Sequence, residues 1–133
     1  MESIILLDSS VLIDYFRKIN KAKTFFYKLS SAYSGYAISV IVHYEIIKGS
    51  NQQQANFWNN IFADFFIFPY TVTTNTSALA IEQELRKKRK GIDFKDLIIA
   101  SIAVQHKLPL ATLNKKHFEN ITGLELITPI SFE

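Results

Sequence analysis

The chain has 133 residues, of which 48% are hydrophobic, 14% aromatic and 20% charged, with a formal net charge of +3 and no cysteine. That length and apolar share predict one domain around one core and exclude a disordered chain. The absence of cysteine excludes disulfides, thiolate zinc sites, iron–sulfur clusters and thiol nucleophiles. Strands and helices then alternate along the sequence. An apolar run at residues 3–7 ends at Asp8 and reads as a strand buried on both faces. Ser9 and Ser10 offer N-caps to a helix carrying Val11, Leu12, Tyr15 and Phe16 at helical spacing. A second helix is expected over 21–31, with Phe25, Phe26 and Leu29 on one side. Ser34-Gly35 marks a turn before a strand at 36–39. Ser39 can cap a helix over 40–48 that Gly49 ends. A helix over 51–63 places Phe57, Trp58 and Phe62 in the core or at an interface, and a strand at 65–68 stops at Pro69. Residues 74–90 read as a helix lined by Ala78, Ile81 and Leu85 and ended by Gly91. Asp93 can cap a helix over 94–107, and strands follow at 110–113 and 124–127. The pattern predicts a single α/β domain over residues 1–133, with a central, mainly parallel sheet of about five strands flanked by helices.

The positive charge is local. Arg86, Lys87, Lys88, Arg89 and Lys90 are consecutive, and taking those five from +3 leaves −2. Such a run suits a phosphate-bearing partner. It equally suits the C-terminal turns of a helix, where positive charge complements the macrodipole. Residues 1–7 lack a basic segment and a long apolar segment, so no signal peptide is expected. No apolar stretch approaches the ~18–20 residues of a membrane span. The expectation is a soluble protein of the reducing cytoplasm.

Sites in parallel sheets lie beyond the carboxyl ends of the strands, which makes the acids informative. Asp8 directly follows the first strand, and Glu45 lies about two turns into the helix after the second. Asp96 sits in the first turn of the helix before the fourth strand, and Asn114 directly follows that strand. If the first strand is central, these four converge on one cleft. Clustered carboxylates raise one another's pKa unless a cation compensates. Oxygen ligands suit Mg²⁺ or Mn²⁺, and such sites hydrolyse phosphodiesters. Strand-end and helix-start Asp residues are also ordinary capping positions, so spacing alone leaves both readings open.

Four segments carry a resemblance. Asp8-Ser9-Ser10-Val11-Leu12-Ile13-Asp14 resembles the opening motif of PIN-domain ribonucleases. Residues 38–49, containing Glu45, resemble their second motif, and residues 96–103, starting at Asp96, the third. Residues 111–118, followed by 121–124, resemble the fourth. Order and spacing are most similar to VapC-type toxins of toxin–antitoxin pairs. The resemblance implies a PIN-like three-layer sandwich and a metal-dependent endoribonuclease acting on structured RNA such as tRNA or a ribosomal RNA loop. It implies Asp8, Glu45 and Asp96 as catalytic ligands of Mg²⁺ or Mn²⁺, with Ser10 orienting Asp8. It further implies a small cognate antitoxin that covers the site, and a homodimer. Many members carry Asp at the position of Asn114 or of His117, so Asn114 stands as a neutral candidate ligand and three carboxylates remain.

The other residues divide between function and structure. Arg86 to Lys90, Lys115 and Lys116 are expected to guide the RNA backbone. Asp93 supports the site as an N-cap rather than a ligand, and Asp14 is read as a solvent-facing helix carboxylate. His117 is read as an exposed loop histidine, with RNA contact as the alternative. His43 and His106 form no zinc pattern with it. A non-cleaving PIN-like module that binds RNA or protein is the competing reading, motivated by Asn114. A receiver-type phosphoryl-transfer domain is disfavoured, because residues 66–71 offer no acceptor Asp.

Overall fold

The computed structural model describes residues 3–132; Met1 and Glu2, which the leader argument includes, lie outside the described residues. Five strands form one sheet: β1 (Ile4–Leu7), β2 (Gly35–Ser39), β3 (Phe66–Phe68), β4 (Leu110–Ala111) and β5 (Leu126–Ile127). Every pairing is parallel and the order is β3-β2-β1-β4-β5. Ile5, Leu6 and Leu7 are fully buried, as a strand covered on both faces must be. β1 is therefore central. From it, β2 and β3 step one way while β4 and β5 step the other. Right-handed crossovers send helices to opposite faces of such a sheet and open a crevice at the strand ends where the direction reverses. Here that crevice lies beyond β1 and β4.

Among the described residues, seven α-helices flank the sheet: α1 (Ser9–Arg17), α2 (Phe25–Leu29), α3 (Val40–Lys48), α4 (Gln52–Phe62), α5 (Thr74–Lys87), α6 (Phe94–His106) and α7 (Lys115–Phe118). α6 is the most buried. Its Leu97, Ile99, Ala100, Ile102 and Ala103 join the core, and it packs against α5 and α3. Trp58 and Phe62 of α4 are core residues, whereas Phe57 keeps 37% exposure. Among the described residues no helix is long and apolar enough to cross a membrane.

Several element ends differ from the sequence expectations. Asp8, rather than Ser9 or Ser10, holds the N-cap position of α1. The expected helix over 21–31 is a 3₁₀ turn (Lys21–Lys23) followed by α2. Thr24 separates them, extended at φ −79° and ψ 154°, because its hydroxyl donates to Lys21 O at 2.6 Å and accepts from Tyr27 N at 3.3 Å. Ser39 caps as expected, and Asn51, expected as the first residue of its helix, caps it instead, in a reciprocal capping box with Gln54. Gly49 ends α3 at φ −80°, without left-handed geometry. α5 stops at Lys87, three residues before the expected end. Arg89 takes φ +58°, and the amides of Arg89 and Lys90 donate back to Arg86 O and Leu85 O at 3.0 and 2.9 Å. That is a Schellman closure built on arginine instead of glycine.

Candidate active site

The crevice beyond β1 and β4 gathers acids from three elements. Asp8 leaves the end of β1 and is 2% exposed. Its Oδ2 accepts from Ser10 Oγ at 2.9 Å and from Thr112 Oγ1 at 2.8 Å. Both hydroxyls are themselves held: Leu113 N donates to Ser10 Oγ at 3.1 Å and Asn114 N donates to Thr112 Oγ1 at 2.9 Å. Two clamps thus fix one oxygen of Asp8, and neither engages Oδ1. The segment after β4, which ends at Ala111 instead of running to residue 113, supplies one of them.

Glu45 lies on α3 and Asp96 in the first turn of α6. Lys95, beside Asp96, donates to Glu45 Oε2 at 3.3 Å. Burial works against the Lys95 ammonium, but Glu45, Asp8 and Asp96 outweigh it and hold its pKa above the ordinary lysine value. This one ammonium therefore interacts with all three expected acids. Asp96 is 4% exposed, and its Oδ2 meets His117 Nδ1 at 3.1 Å. Burial raises the Asp96 pKa; His117 and Lys95 oppose the rise, while Asp8 and Asp93 add to it.

The donor set suits a hard cation. It consists of oxygens, and Glu45 Oε1 is buried without a hydrogen-bond partner among the described residues. As the side chains stand, however, no group of three His, Cys, Asp or Glu residues among the described ones is arranged to hold a metal ion. Lys95 and His117 take up Glu45 and Asp96 instead. A metal held by Asp8, Glu45 and Asp96 would use oxygens these contacts leave open, such as Glu45 Oε1, or displace Lys95 and His117.

The other expected site residues are unevenly placed. Ser10 contacts Asp8 as expected. Asp93 occupies the N-cap position of α6 but makes no side-chain capping bond. The Asn114 side chain is exposed at the start of α7 and makes no side-chain capping bond. Asp14 pairs with Lys18, one helical turn on, at 3.2 Å. His43 and His106 pack against Phe62 and Phe68. His117 lies on α7 against Asp96 rather than free in a loop.

The basic run splits. Lys88 bonds Glu84, Asn120 O and Thr122, tying α5 to the segment after α7. Arg86 and Lys90 line a groove whose wall at Gly91 and Ile92 is shared with a cavity of about 400 Å³ lined by Asp93, Asp96, Lys116 and His117. Lys87, Arg89 and Lys115 are exposed and line neither. Sequence reasoning missed Lys95 and Thr112. Thr112 stands inside the fourth motif, two residues before Asn114, and Lys95 adjoins Asp96, so adjacency was the available signal for both.

Comparison with known proteins bears on the family and the fold. The PIN domain family model matches residues 5–124. Ribonuclease VapC1 of Methanocaldococcus jannaschii is 37% identical over 121 residues, covering 90% of this chain and 82% of the relative. The fold is similar to that in the crystal structure of VapBC2 from Rickettsia felis bound to a promoter DNA fragment (TM-score 0.78, 25% identity, 94% of this chain and 98% of that one). It is also similar to a toxin–antitoxin complex from Klebsiella pneumoniae (TM-score 0.76, 28% identity, 94% and 97%). The chain belongs to the PIN-domain family, among its VapC-type ribonucleases.

Proposed function

We propose that this chain is a metal-dependent endoribonuclease and the toxin of a toxin–antitoxin pair. The observation that carries the reading is the gathering of Asp8, Glu45 and Asp96, from three elements, around the Lys95 ammonium at the sheet's switch point. Asp8, Glu45 and Asp96 would hold Mg²⁺ or Mn²⁺, with Asn114 at the rim. When bound, that ion would neutralise phosphoryl charge and make water a competent nucleophile near neutral pH. The protein's own contribution is order and charge. Ser10 and Thr112 keep Asp8 in one orientation, and Lys95, released from Glu45, is an ammonium available to a phosphate oxygen. Arg86, Lys90 and Lys116 extend positive charge away from the acids, which suits the backbone of a structured RNA, a tRNA or a ribosomal RNA loop. The VapBC complexes among the similar structures support a small cognate antitoxin as partner. A second copy of this chain is supported by the exposed apolar residues Phe66, Ile67, Val72 and Leu79. The absence of cysteine suits a cytoplasmic setting.

The test is cleavage of total RNA by the purified protein in Mg²⁺ or Mn²⁺, read as new 5′ ends. Wild type is expected to cut and EDTA to stop it. Asp8→Asn should lose more than the about 10–100-fold typical of an outer-shell change. Cleavage by Asp8→Asn at the wild-type rate would refute the mechanism. RNA retention in EDTA with no new ends in Mg²⁺ or Mn²⁺ would favour a non-cleaving binding module.

A further inference from the structure

The acid cluster already holds a cation of its own. Among the described residues, Lys95 is the only lysine or arginine in an ion pair with Asp8, Glu45 or Asp96, its Nζ lying 3.3 Å from Glu45 Oε2. Its position follows from the sequence. Lys95 directly precedes Asp96 in the first turn of α6, and α6 packs against α3, which carries Glu45. Leu97 and Ile99 bury α6 in the core, so the foot of the lysine stem is fixed beside the acids. The other end of the stem is less confined. The Lys95 and Glu45 side chains keep 39% and 34% exposure, and their bond can open into solvent without a change of backbone. Asp8 and Asp96 attract the same ammonium.

We infer that Lys95 is an internal counter-cation that competes with the divalent ion for the carboxylates, and so sets the metal concentration at which the site loads. This rests on the metal-dependent reading proposed above. Glu45 Oε1 is buried without a hydrogen-bond partner among the described residues, and the clamps on Asp8 do not engage its Oδ1. Oxygens therefore remain open to an ion while Lys95 stays on Glu45 Oε2. Charge is what opposes loading. The two oxygens of Glu45 share one negative charge, and a divalent ion on one repels an ammonium on the other. Loading must either part Lys95 from Glu45 or bear that repulsion, and both weaken binding. The competitor is tethered by one side chain to a fixed helix, so dilution does not remove it as it would a cation from solution. In the metal-free chain the same ammonium offsets the mutual repulsion of the three acids.

Calorimetric titration with Mn²⁺ alone, on the full chain stripped with EDTA and dialysed, measures the competition directly. Lys95→Met keeps most of the stem and deletes the charge; it is expected to bind Mn²⁺ about tenfold more tightly than wild type. Lys95→Arg keeps the charge and should bind Mn²⁺ no more tightly than wild type. Damaged packing does not tighten metal binding, so a gain is separable from a structural defect. Lys95→Gln should show the same gain and serves if the Met variant folds poorly. In EDTA at pH 7, Lys95→Met should melt below wild type, and saturating Mn²⁺ should raise its melting temperature by more than it raises that of wild type. The Mn²⁺ concentration for half-maximal RNA cutting should fall by the same factor as the calorimetric constant. Equal or weaker Mn²⁺ binding by Lys95→Met and Lys95→Gln overturns the competition; if both also lose RNA binding, Lys95 is a phosphate contact only. Tighter Mn²⁺ binding by both variants of a chain that cuts no RNA refutes the nuclease reading and leaves the competition standing. Mn²⁺-dependent cutting with the same Mn²⁺ affinity in wild type and variants refutes the competition alone.

Discussion

Asp8 and Asp96 reach the same crevice under opposite constraints. Asp8 is clamped by two hydroxyls on one oxygen, a hydrogen-bonding pattern that favours order. Thr112→Val preserves shape and deletes one clamp; we expect about 10–100-fold weaker metal binding, measured by calorimetry, with little change in melting temperature. Asp96 is strained electrostatically, because burial raises its pKa in the fold above the unfolded value. For an acid shifted that way, the native state binds its proton more tightly than the unfolded chain. Its destabilising effect is absent below the unfolded pKa and complete above the folded one. Asp96→Asn should therefore raise the melting temperature at neutral pH in EDTA, and the gain should fade as pH drops through the carboxylate range. A lower melting temperature at pH 7 would contradict this. Asp8 at a strand end and Asp96 at a helix start were legible as candidates by position, and Glu45, about two turns into α3, by its place in the second motif. Lys95, Thr112 and His117 were not legible as partners, since each acquires its role from an acid on another element: Lys95 from Glu45, 50 residues away, and Thr112 from Asp8, 104 residues away.

Helix interiors were readable and helix ends less so. Hydrophobic spacing located α3, α4 and α6 to within a residue or two, because their apolar faces have one place to go. The ends depend on bonds of two or three residues that periodicity does not register. Thr24 breaks the helix over 21–31 with its own hydroxyl, and α5 closes on Arg89 before Gly91 is reached. Lys107 closes α6 in the same left-handed conformation at φ +56°, and Leu108 N donates to Ala103 O at 2.9 Å. A side chain costs about 1 kcal/mol there relative to glycine. Lys107→Gly, exposed and remote from the acids, should stabilise the fold by about that amount, seen as a few degrees in thermal unfolding. Destabilisation would mean that the Lys107 side chain has a role beyond the turn.

At the scale of the molecule, the parallel sheet is covered on its faces but not at its edge. β3 is an edge strand, and its Phe66 and Ile67 keep 47% and 42% exposure, with Val72 and Leu79 also exposed. An uncovered apolar edge favours association. Light scattering behind size-exclusion chromatography is expected to give a dimer that Phe66→Glu shifts toward monomer; a monomer at every concentration would exclude the homodimer. The strand order explains why the crevice was foreseeable: a central first strand makes Asp8 the pivot, and alternating elements implied such a sheet. The same order has a further consequence. Asp8 has no loop to move on, since its amide donates to Ala111 O at 3.0 Å in the continuation of the β1–β4 ladder. Its amide hydrogen should exchange with solvent only through opening of the whole sheet, on the timescale of global unfolding. Asp8 is therefore the fixed member of the cluster, and whatever assembles or disperses the acids acts through the side chains of Glu45 and Asp96, which pair with Lys95 and His117 without any movement of the sheet.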